Sequence, residues 1–426
     1  MAGGTGMAAA RWDMEAVRAA FPGLAVRDEG QARLYADAPA GTQVAARCLE
    51  RMNRALIESC ANDGGSFRTS RAAEALMLEA HAGAAALFNA EPDEIVFGLN
   101  TTSLFFAFAY MLSREWKPGD EIVLTRMDHD ANVAPWLTMA QEKGVTVRWL
   151  DFSPESFEYD YESLGGLIGP RTRLVACNHA SNLLGTVNDV ARIVAAGRAV
   201  GAVTVVDAVQ SAPHLPVDVK AIGCDILCAS AYKFFGPHAA VLYLAPTLRD
   251  RLKPLKVRPS PAAMPWRFAP GTPSFEAQAG TLGAIEHMAA LGERMGGAAP
   301  AAPLRERIVA GYAAAIAHEA ELMRLFLDGA AGIPGLTLYG LSGPNRLEGR
   351  VPTFSFRLPG KDPAGVAQAL ADENIFAWAG SFYAQEAAGR LGIGPGGGVN
   401  RVGLAHYNTP AEVERLVGAL AALAAA

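Results

Sequence analysis

The sequence predicts an α/β protein: a mostly parallel, doubly wound sheet in a large domain, followed by a smaller α+β domain. Three observations carry this. Segments of helical and strand period alternate from about residue 75 to 245, polar residues gather just past the apolar runs, and the pattern changes after a proline-rich stretch at 258–274. Strands separated by helices of this length need crossover connections, which cover both faces of a parallel sheet.

The elements follow in order. "AAEALMLEAHAGAAALF" places apolar residues at helical spacing, "EIVFGL" reads as a strand and "TTSLFFAFAYMLSREW" as a helix. "EIVLTR" (strand), "APWLTMAQEKG" (helix) and "TVRWLDF" (strand) continue the alternation. "RLVACNHA", "DVARIVAAGRAVG", "VTVVDAV", "DILCAS" and "AVLYLA" complete the large sheet. Beyond the proline-rich break a long helical region is expected from about Phe275 to Leu327. Strands at "LTLYG", "RVPTFSFRLP", "IFAWAG" and "NRVGLAHYN" and a last helix at "PAEVERLVGALAALAA" make the smaller domain. The expected division is 1–40 as an N-terminal segment packing on the small domain, 41–300 as the large domain and 301–426 as the small one. "GIGPGGG" (392–398) reads as a flexible loop and "MAGGTGMAAARWD" as a short disordered lead.

Composition narrows the function classes. The 426 residues, 51% of them hydrophobic, exceed what one core usually holds. Net charge is −6 with both signs interspersed, and no basic tract or zinc-finger spacing appears, which argues against a nucleic-acid partner. Apolar runs such as "LFFAFAYML" are about half of a bilayer span, so no membrane crossing is expected. The five cysteines, Cys48, Cys60, Cys177, Cys224 and Cys228, lack metal-ligand spacing, and no metal is expected. "AIGCDILCASA" reads as a core strand holding Cys224 and Cys228. An odd cysteine count without a signal peptide fits a reducing cytoplasm.

Ligands of parallel sheets bind beyond the carboxyl ends of the strands. The polar residues there are Asn100, Thr101 and Thr102, then Asp128, His129 and Asn132, then Asn178, His179 and Asn182, then Asp207 and Gln210, then Ser230 and Lys233. Threonines opening a helix suit a phosphate. An imidazole suits the face of a flat ring, and a buried Asp suits a protonated ring nitrogen. Gln210 suits a phenolic oxygen, and a lysine of lowered pKa condenses with an aldehyde. Together they describe pyridoxal 5′-phosphate. Each residue alone has an ordinary explanation: an N-cap for the threonines, a surface loop for His129, a helix cap for Asp207, a snorkelling lysine at 233. Their joint order argues against those readings.

Six segments, "DHDANVAPW" (128–136), "NHASNLLGTVND" (178–189), "VVDAVQSAPH" (205–214), "SAYKFFGPH" (230–238), "GTPSFEA" (271–277) and "NRVGLAHYNTPAEVERLV" (400–417), carry a resemblance. In their order and approximate spacing, the chain resembles the class V aminotransferase family of fold-type I pyridoxal-phosphate enzymes, on its cysteine desulfurase-like branch. The resemblance implies that Lys233 carries the cofactor, Asp207 partners the pyridine nitrogen, Gln210 the ring oxygen, and His129 stacks on the ring. It implies phosphate contacts from Thr102 and Ser230 with Thr101 adjacent, and from Thr272 across the interface of a homodimer with shared sites. Arg401, assisted by Asn182, would fork onto the α-carboxylate of a small-molecule amino acid substrate.

Two departures shape the expected function. The loop "AWAGSFYAQEAAGRLG" puts Tyr383 near the place of the branch's nucleophilic cysteine and Trp378 near that of a second substrate-binding arginine. Tyr232 precedes the lysine where relatives frequently have His, and reads as a packing residue. A phenol cannot hold a persulfide. The expectation is therefore a lyase-type elimination, with C–S or related bond cleavage, at a remodelled substrate pocket bordered by Tyr383 and Trp378. Amino transfer, epimerisation and decarboxylation stay open. The rivals from other classes are a non-catalytic binding protein on the same scaffold and a nicotinamide enzyme, for which "FGLNTTS" lacks the glycine-rich turn.

Overall fold

The structure is a computed structural model and describes residues 12–393 and 397–426. Most of the expected lead, and residues 394–396 of the glycine-rich loop, lie outside the described residues.

The large sheet has seven strands: β1 (Ile95–Gly98), β2 (Glu121–Thr125), β3 (Thr146–Leu150), β4 (Thr172–Asn178), β5 (Val203–Asp207), β6 (Ile226–Ser230) and β7 (Ala240–Leu244). Their spatial order is β1-β7-β6-β5-β4-β2-β3. β7 runs antiparallel to both neighbours, and the pairs β6–β5, β5–β4, β4–β2 and β2–β3 are parallel. Because β1 and β6 both oppose β7, every strand except β7 points the same way. β2, β5, β6 and β7 are buried along their whole length, as two covered faces require, which is why they read as unbroken apolar runs. One core cluster holds Val123, Val175, Val206 and Leu227, and another, on alternate residues, holds Ile122, Leu124, Leu174 and Val205.

The smaller sheet is antiparallel: β8 (Thr337–Tyr339), β9 (Thr353–Arg357), β10 (Trp378–Gly380) and β11 (Val399–Gly403), ordered β8-β9-β11-β10. A third cluster, including Phe326, Phe354, Val402 and Leu416, lies between this sheet and the helices Leu304–Ala331 and Pro410–Ala425.

Two expectations are corrected. The helical region after Phe275 is two helices, Phe275–Arg294 and Leu304–Ala331, because Gly296, Gly297, Pro300 and Pro303 break it. The two pack backbone to backbone, and a Cβ on Gly292 would overlap the Arg307 carbonyl. Cys224 is not in a strand. The short helix Val219–Ile222 is capped by a left-handed Gly223, and β6 begins only at Ile226.

The N-terminal stretch is threaded through the rest. Asp13 caps the helix Met14–Ala19, and Trp12 stacks on His318 at 4.8 Å. Leu34–Tyr35 pairs in parallel with Ile375–Phe376, and Asp37 bridges to Gly403. The next turn reaches the large domain, where Thr42 Oγ1 accepts from the Phe235 N–H at 2.8 Å. Among the described residues, no helix is long and apolar enough to cross a membrane, and no group of His, Cys, Asp or Glu is placed to hold a metal.

Candidate active site

The carboxyl ends of β1, β2, β4, β5 and β6 open into one cavity of about 320 Å³. Every residue that the resemblance implies at the site lines it except Thr272: Thr101, Thr102, His129, Asn182, Asp207, Gln210, Ser230, Lys233, Trp378, Tyr383 and Arg401; of the other strand-end candidates Asn100 and Asn178 line it and Asp128, Asn132 and His179 do not. Thr272 is exposed, just ahead of the helix Phe275–Arg294, and does not line its own chain's cavity. The parallel sheet explains the convergence, since each turn leaving a strand lands on the same side.

At one end, Asn100 caps the helix Thr101–Ser113 by accepting from the Ser103 N–H at 2.8 Å. Thr101 and Ser230 are buried with their hydroxyls 2.8 Å apart, and Thr102 is exposed at the rim. Hydroxyls at a helix N-terminus form an anion seat.

His129 sits in the turn after β2, and that turn is tied down from below. Asp128 accepts from Thr125, and its Oδ1 also accepts from Asn132 Nδ2 at 2.8 Å. Asn132 in turn accepts from buried Trp136 Nε1 at 3.0 Å. His129 Nδ1 accepts from the Ala131 N–H at 3.0 Å, so in the neutral ring the proton sits on Nε2. Burial, then the nearby charges of Lys233 and Arg401, hold its pKa down to about 4. The imidazole is therefore neutral at ordinary pH.

Asp207 closes β5, where its side chain accepts one hydrogen bond among the described residues, from the Val209 N–H at 2.8 Å. Burial raises its pKa to about 6, against the opposing pull of that hydrogen bond and of Lys233. A cationic ring nitrogen beside it would restore the charged form.

Lys233 and Gln210 share one unexpected partner, the main-chain carbonyl of Pro39: Lys233 Nζ donates to it, and Gln210 Nε2 donates at 2.9 Å. Burial, then the charge of Arg401, lowers the lysine pKa to about 7, so a large share of free amine is present at neutral pH. Arg401, on β11, is 5% exposed. Among the described residues it makes no ion pair; Nη1 donates to the Asn182 carbonyl at 2.9 Å and the Phe382 ring lies 4.0 Å below the guanidinium carbon. Burial lowers its pKa to about 9. Asn182 thus holds Arg401 by its backbone, while its Nδ2 donates to the Phe382 carbonyl at 2.8 Å and its buried Oδ1 has no partner among the described residues.

Tyr232 does pack, on His238 at 4.7 Å, but it also lines the cavity with the Lys233 ammonium 4.8 Å from its ring. Sequence reasoning missed Pro39, Ala40 and Phe382 as cavity residues, and Asp37 beside them. A carbonyl acceptor leaves no mark in side-chain chemistry, and only the tripeptide "SFY" could have drawn attention to Phe382. Asp37 Oδ1 is buried and has no hydrogen-bond partner among the described residues; the carboxyl's pKa is raised by burial, against the pull of Trp378, Arg401 and Lys233.

The donor set fits pyridoxal 5′-phosphate on the structure's own terms. An anion seat, a neutral imidazole, a buried carboxyl of raised pKa and an amine of lowered pKa line one cavity, and among the described residues neither Lys233 nor Arg401 forms an ion pair, although Asp37 lies near both.

Comparison with known proteins agrees. The family described as Aminotransferase class-V matches residues 34–416. An aminotransferase-like protein of Gibberella zeae is 33% identical over 426 residues, covering 97% of this chain and 99% of that one. A cysteine desulfurase of Pectobacterium carotovorum is 32% identical over 425 residues, covering 96% and 97%. The solved structure of a cysteine desulfurase from Thermococcus onnurineus superposes with a TM-score of 0.84 at 27% identity, covering 96% of this chain and 98% of that one.

Proposed function

We propose that this chain, which belongs to the class V aminotransferase family, acts at the α-carbon of an amino acid and cleaves a bond at its β-carbon by elimination. Members of the family use pyridoxal 5′-phosphate, which when bound supplies a sink for the electron pair released at Cα. One observation carries the reading: Lys233 and Arg401 are both buried in one cavity and neither has a carboxylate partner among the described residues. Buried cations are normally paired. A substrate carboxylate would supply the partner that Arg401 lacks, and the free amine of Lys233 would condense with the cofactor's aldehyde with loss of water.

In this reading Thr101, Thr102 and Ser230 would hold the phosphate, His129 would cover the ring, Asp207 would keep the ring nitrogen protonated and Gln210 would donate to the ring oxygen. Arg401 would hold the α-carboxylate with its fork. Lys233 Nζ would take the α-proton, and its lowered pKa matches that task. Departure of the β-substituent with a proton, then hydrolysis, gives a 2-oxo acid and ammonia. Elimination without a thiol is favoured because no cysteine lines the cavity, whereas Tyr383 does. Amino transfer by the same residues is the alternative. Four of the five cysteines are buried and all are free, which suits a cytoplasmic protein. Exposed Leu99, Phe106 and Tyr110 beside the rim and exposed Thr272 support a homodimer in which Thr272 completes the partner's phosphate seat.

Borohydride treatment of the loaded protein followed by peptide mapping tests the core of this. The label is expected on Lys233, and a label on another lysine, or none, rejects the assignment. Ammonia release with a 2-oxo acid supports elimination; conversion of the cofactor to its amine form without ammonia supports amino transfer.

A further inference from the structure

The cavity that holds Lys233 and Arg401 is lined by four aromatic rings besides that of His129. Tyr232 lies against the Lys233 ammonium at 4.8 Å, Phe382 against the Arg401 guanidinium at 4.0 Å, and Tyr383 against the His129 ring at 5.5 Å. Trp378 stands on β10 directly across from Arg401 in the strand register, and half of its surface is open. All four line the cavity.

We propose that Tyr232, Trp378, Phe382 and Tyr383 form an aromatic box that selects an amino acid with an uncharged, flat or bulky apolar side chain, aromatic or thioether, and turns away a second carboxylate. The proposal rests on the amino acid reading above and deepens it.

The charge inventory points the same way. The cations of the cavity are Lys233 and Arg401, and both are engaged by the common part of any amino acid. A side-chain carboxylate would therefore enter without a counter-ion and lose its water, which disfavours it strongly. Cationic side chains meet the same two positive groups. A ring or thioether instead meets π-faces, with which offset stacking and sulfur–aromatic contacts are favourable.

The backbone of the box is strained in a way that keeps it in place. Phe382 and Tyr383 are consecutive bulky residues with φ of 57° and 56°, in the left-handed region that such residues avoid. Strain of that kind persists only where the surroundings over-determine it. Here Asn182 Nδ2 donates to the Phe382 carbonyl at 2.8 Å and the Asp130 N–H donates to the Tyr383 carbonyl at 2.7 Å. Both clamps come from turns that follow strands of the large sheet, so the two rings are aimed by the same scaffold that aims His129 and Arg401.

The test is equilibrium binding to the cofactor-loaded protein, read from the absorbance change on adding phenylalanine, tryptophan, methionine, alanine, aspartate, glutamate or lysine. Aromatic and thioether amino acids are expected to bind at least tenfold more tightly than alanine and the charged ones. Trp378→Arg, at a half-exposed position where folding is not at stake, is expected to narrow or reverse the preference against aspartate and glutamate. Phe382→Leu keeps bulk but removes the ring, and is expected to weaken the aromatic ligands selectively. Equal binding of all side chains, or preference for acidic ones in the unmodified protein, overturns the box and leaves the amino acid reading intact. If no amino acid perturbs the spectrum of protein that does carry label on Lys233, the amino acid reading fails and the box falls with it.

Discussion

Replacing Arg401 with methionine should separate carboxylate recognition from everything else the cavity does. The guanidinium is 5% exposed, makes one hydrogen bond to a main-chain carbonyl and has no acid beside it within ion-pair range among the described residues. Truncating one member of a buried, hydrogen-bonded charge pair costs about 2–5 kcal/mol, which at about 1.4 kcal/mol per decade is roughly 30- to 4,000-fold in affinity. The assay is a spectrophotometric titration of loaded protein with an amino acid and with the amine that lacks its carboxyl group. In the unmodified protein the two ligands should differ by that factor. In Arg401→Met the amino acid should lose it and the amine should not. The same substitution removes a buried cation whose desolvation is uncompensated in the empty protein, so the thermal midpoint should hold or rise. Equal loss for both ligands would show that Arg401 serves the architecture rather than the carboxylate, and the reasoning would be refuted.

Replacing all five cysteines by Ala or Ser, with folding checked by circular dichroism, should preserve most turnover. Burial raises the Cys48 thiol to about 12 and pushes those of Cys177, Cys224 and Cys228 well up, so almost no thiolate is present at neutral pH; a persulfide trapped on any of them, with alanine as product, would overturn the elimination reading. Stability should fall as pH drops below about 6.5. Burial holds His81 and His179 at about 4 and His287 at about 3, so between those values and 6.5 the unfolded chain binds the extra protons. Each costs roughly 1.4 kcal/mol per pH unit within its window, with His129 and His406, also held low by burial, adding to the loss, while the carboxyls of Asp207, raised to about 6, and of Asp37 and Asp128, also raised by burial, offset part of it in the lower range. Urea melts at pH 7.5 and 5.5 check this, and identical midpoints would contradict it.

The sheet and most of the cavity were legible because they depend on periodicity and on the rule that parallel strands end together. Val203–Asp207 had to be a strand buried on both faces, and Asp207 had to follow it onto the open side. The direction of the chain placed His129 and Lys233 in the same way. Trp378 and Tyr383 were visible only as departures from a familiar pattern, not as walls of a box. Phe382 was not visible at all, since its position depends on two left-handed residues and two long-range clamps. Nor was the Pro39 carbonyl, which becomes an acceptor only when Leu34–Tyr35 pairs with a segment more than 300 residues away. The broken helix after Phe275 was a misjudged period: alanine-rich flanks masked the two glycines and two prolines that end it.

The threading of residues 34–42 has a mechanical consequence. At one end this stretch is stitched to the neighbourhood of Arg401, with the Gly403 N–H donating to the Ala36 carbonyl at 2.8 Å. At the other it is stitched to the turn bearing Lys233, where the Thr42 N–H donates to the Tyr232 carbonyl at 3.1 Å. The segment is a gauge block between the amine and the fork: its length sets their separation. An added glycine after Ala38 should leave both halves folded yet move the two groups out of step. Binding of an amino acid would then fall while that of a bare amine or a bare carboxylic acid would not.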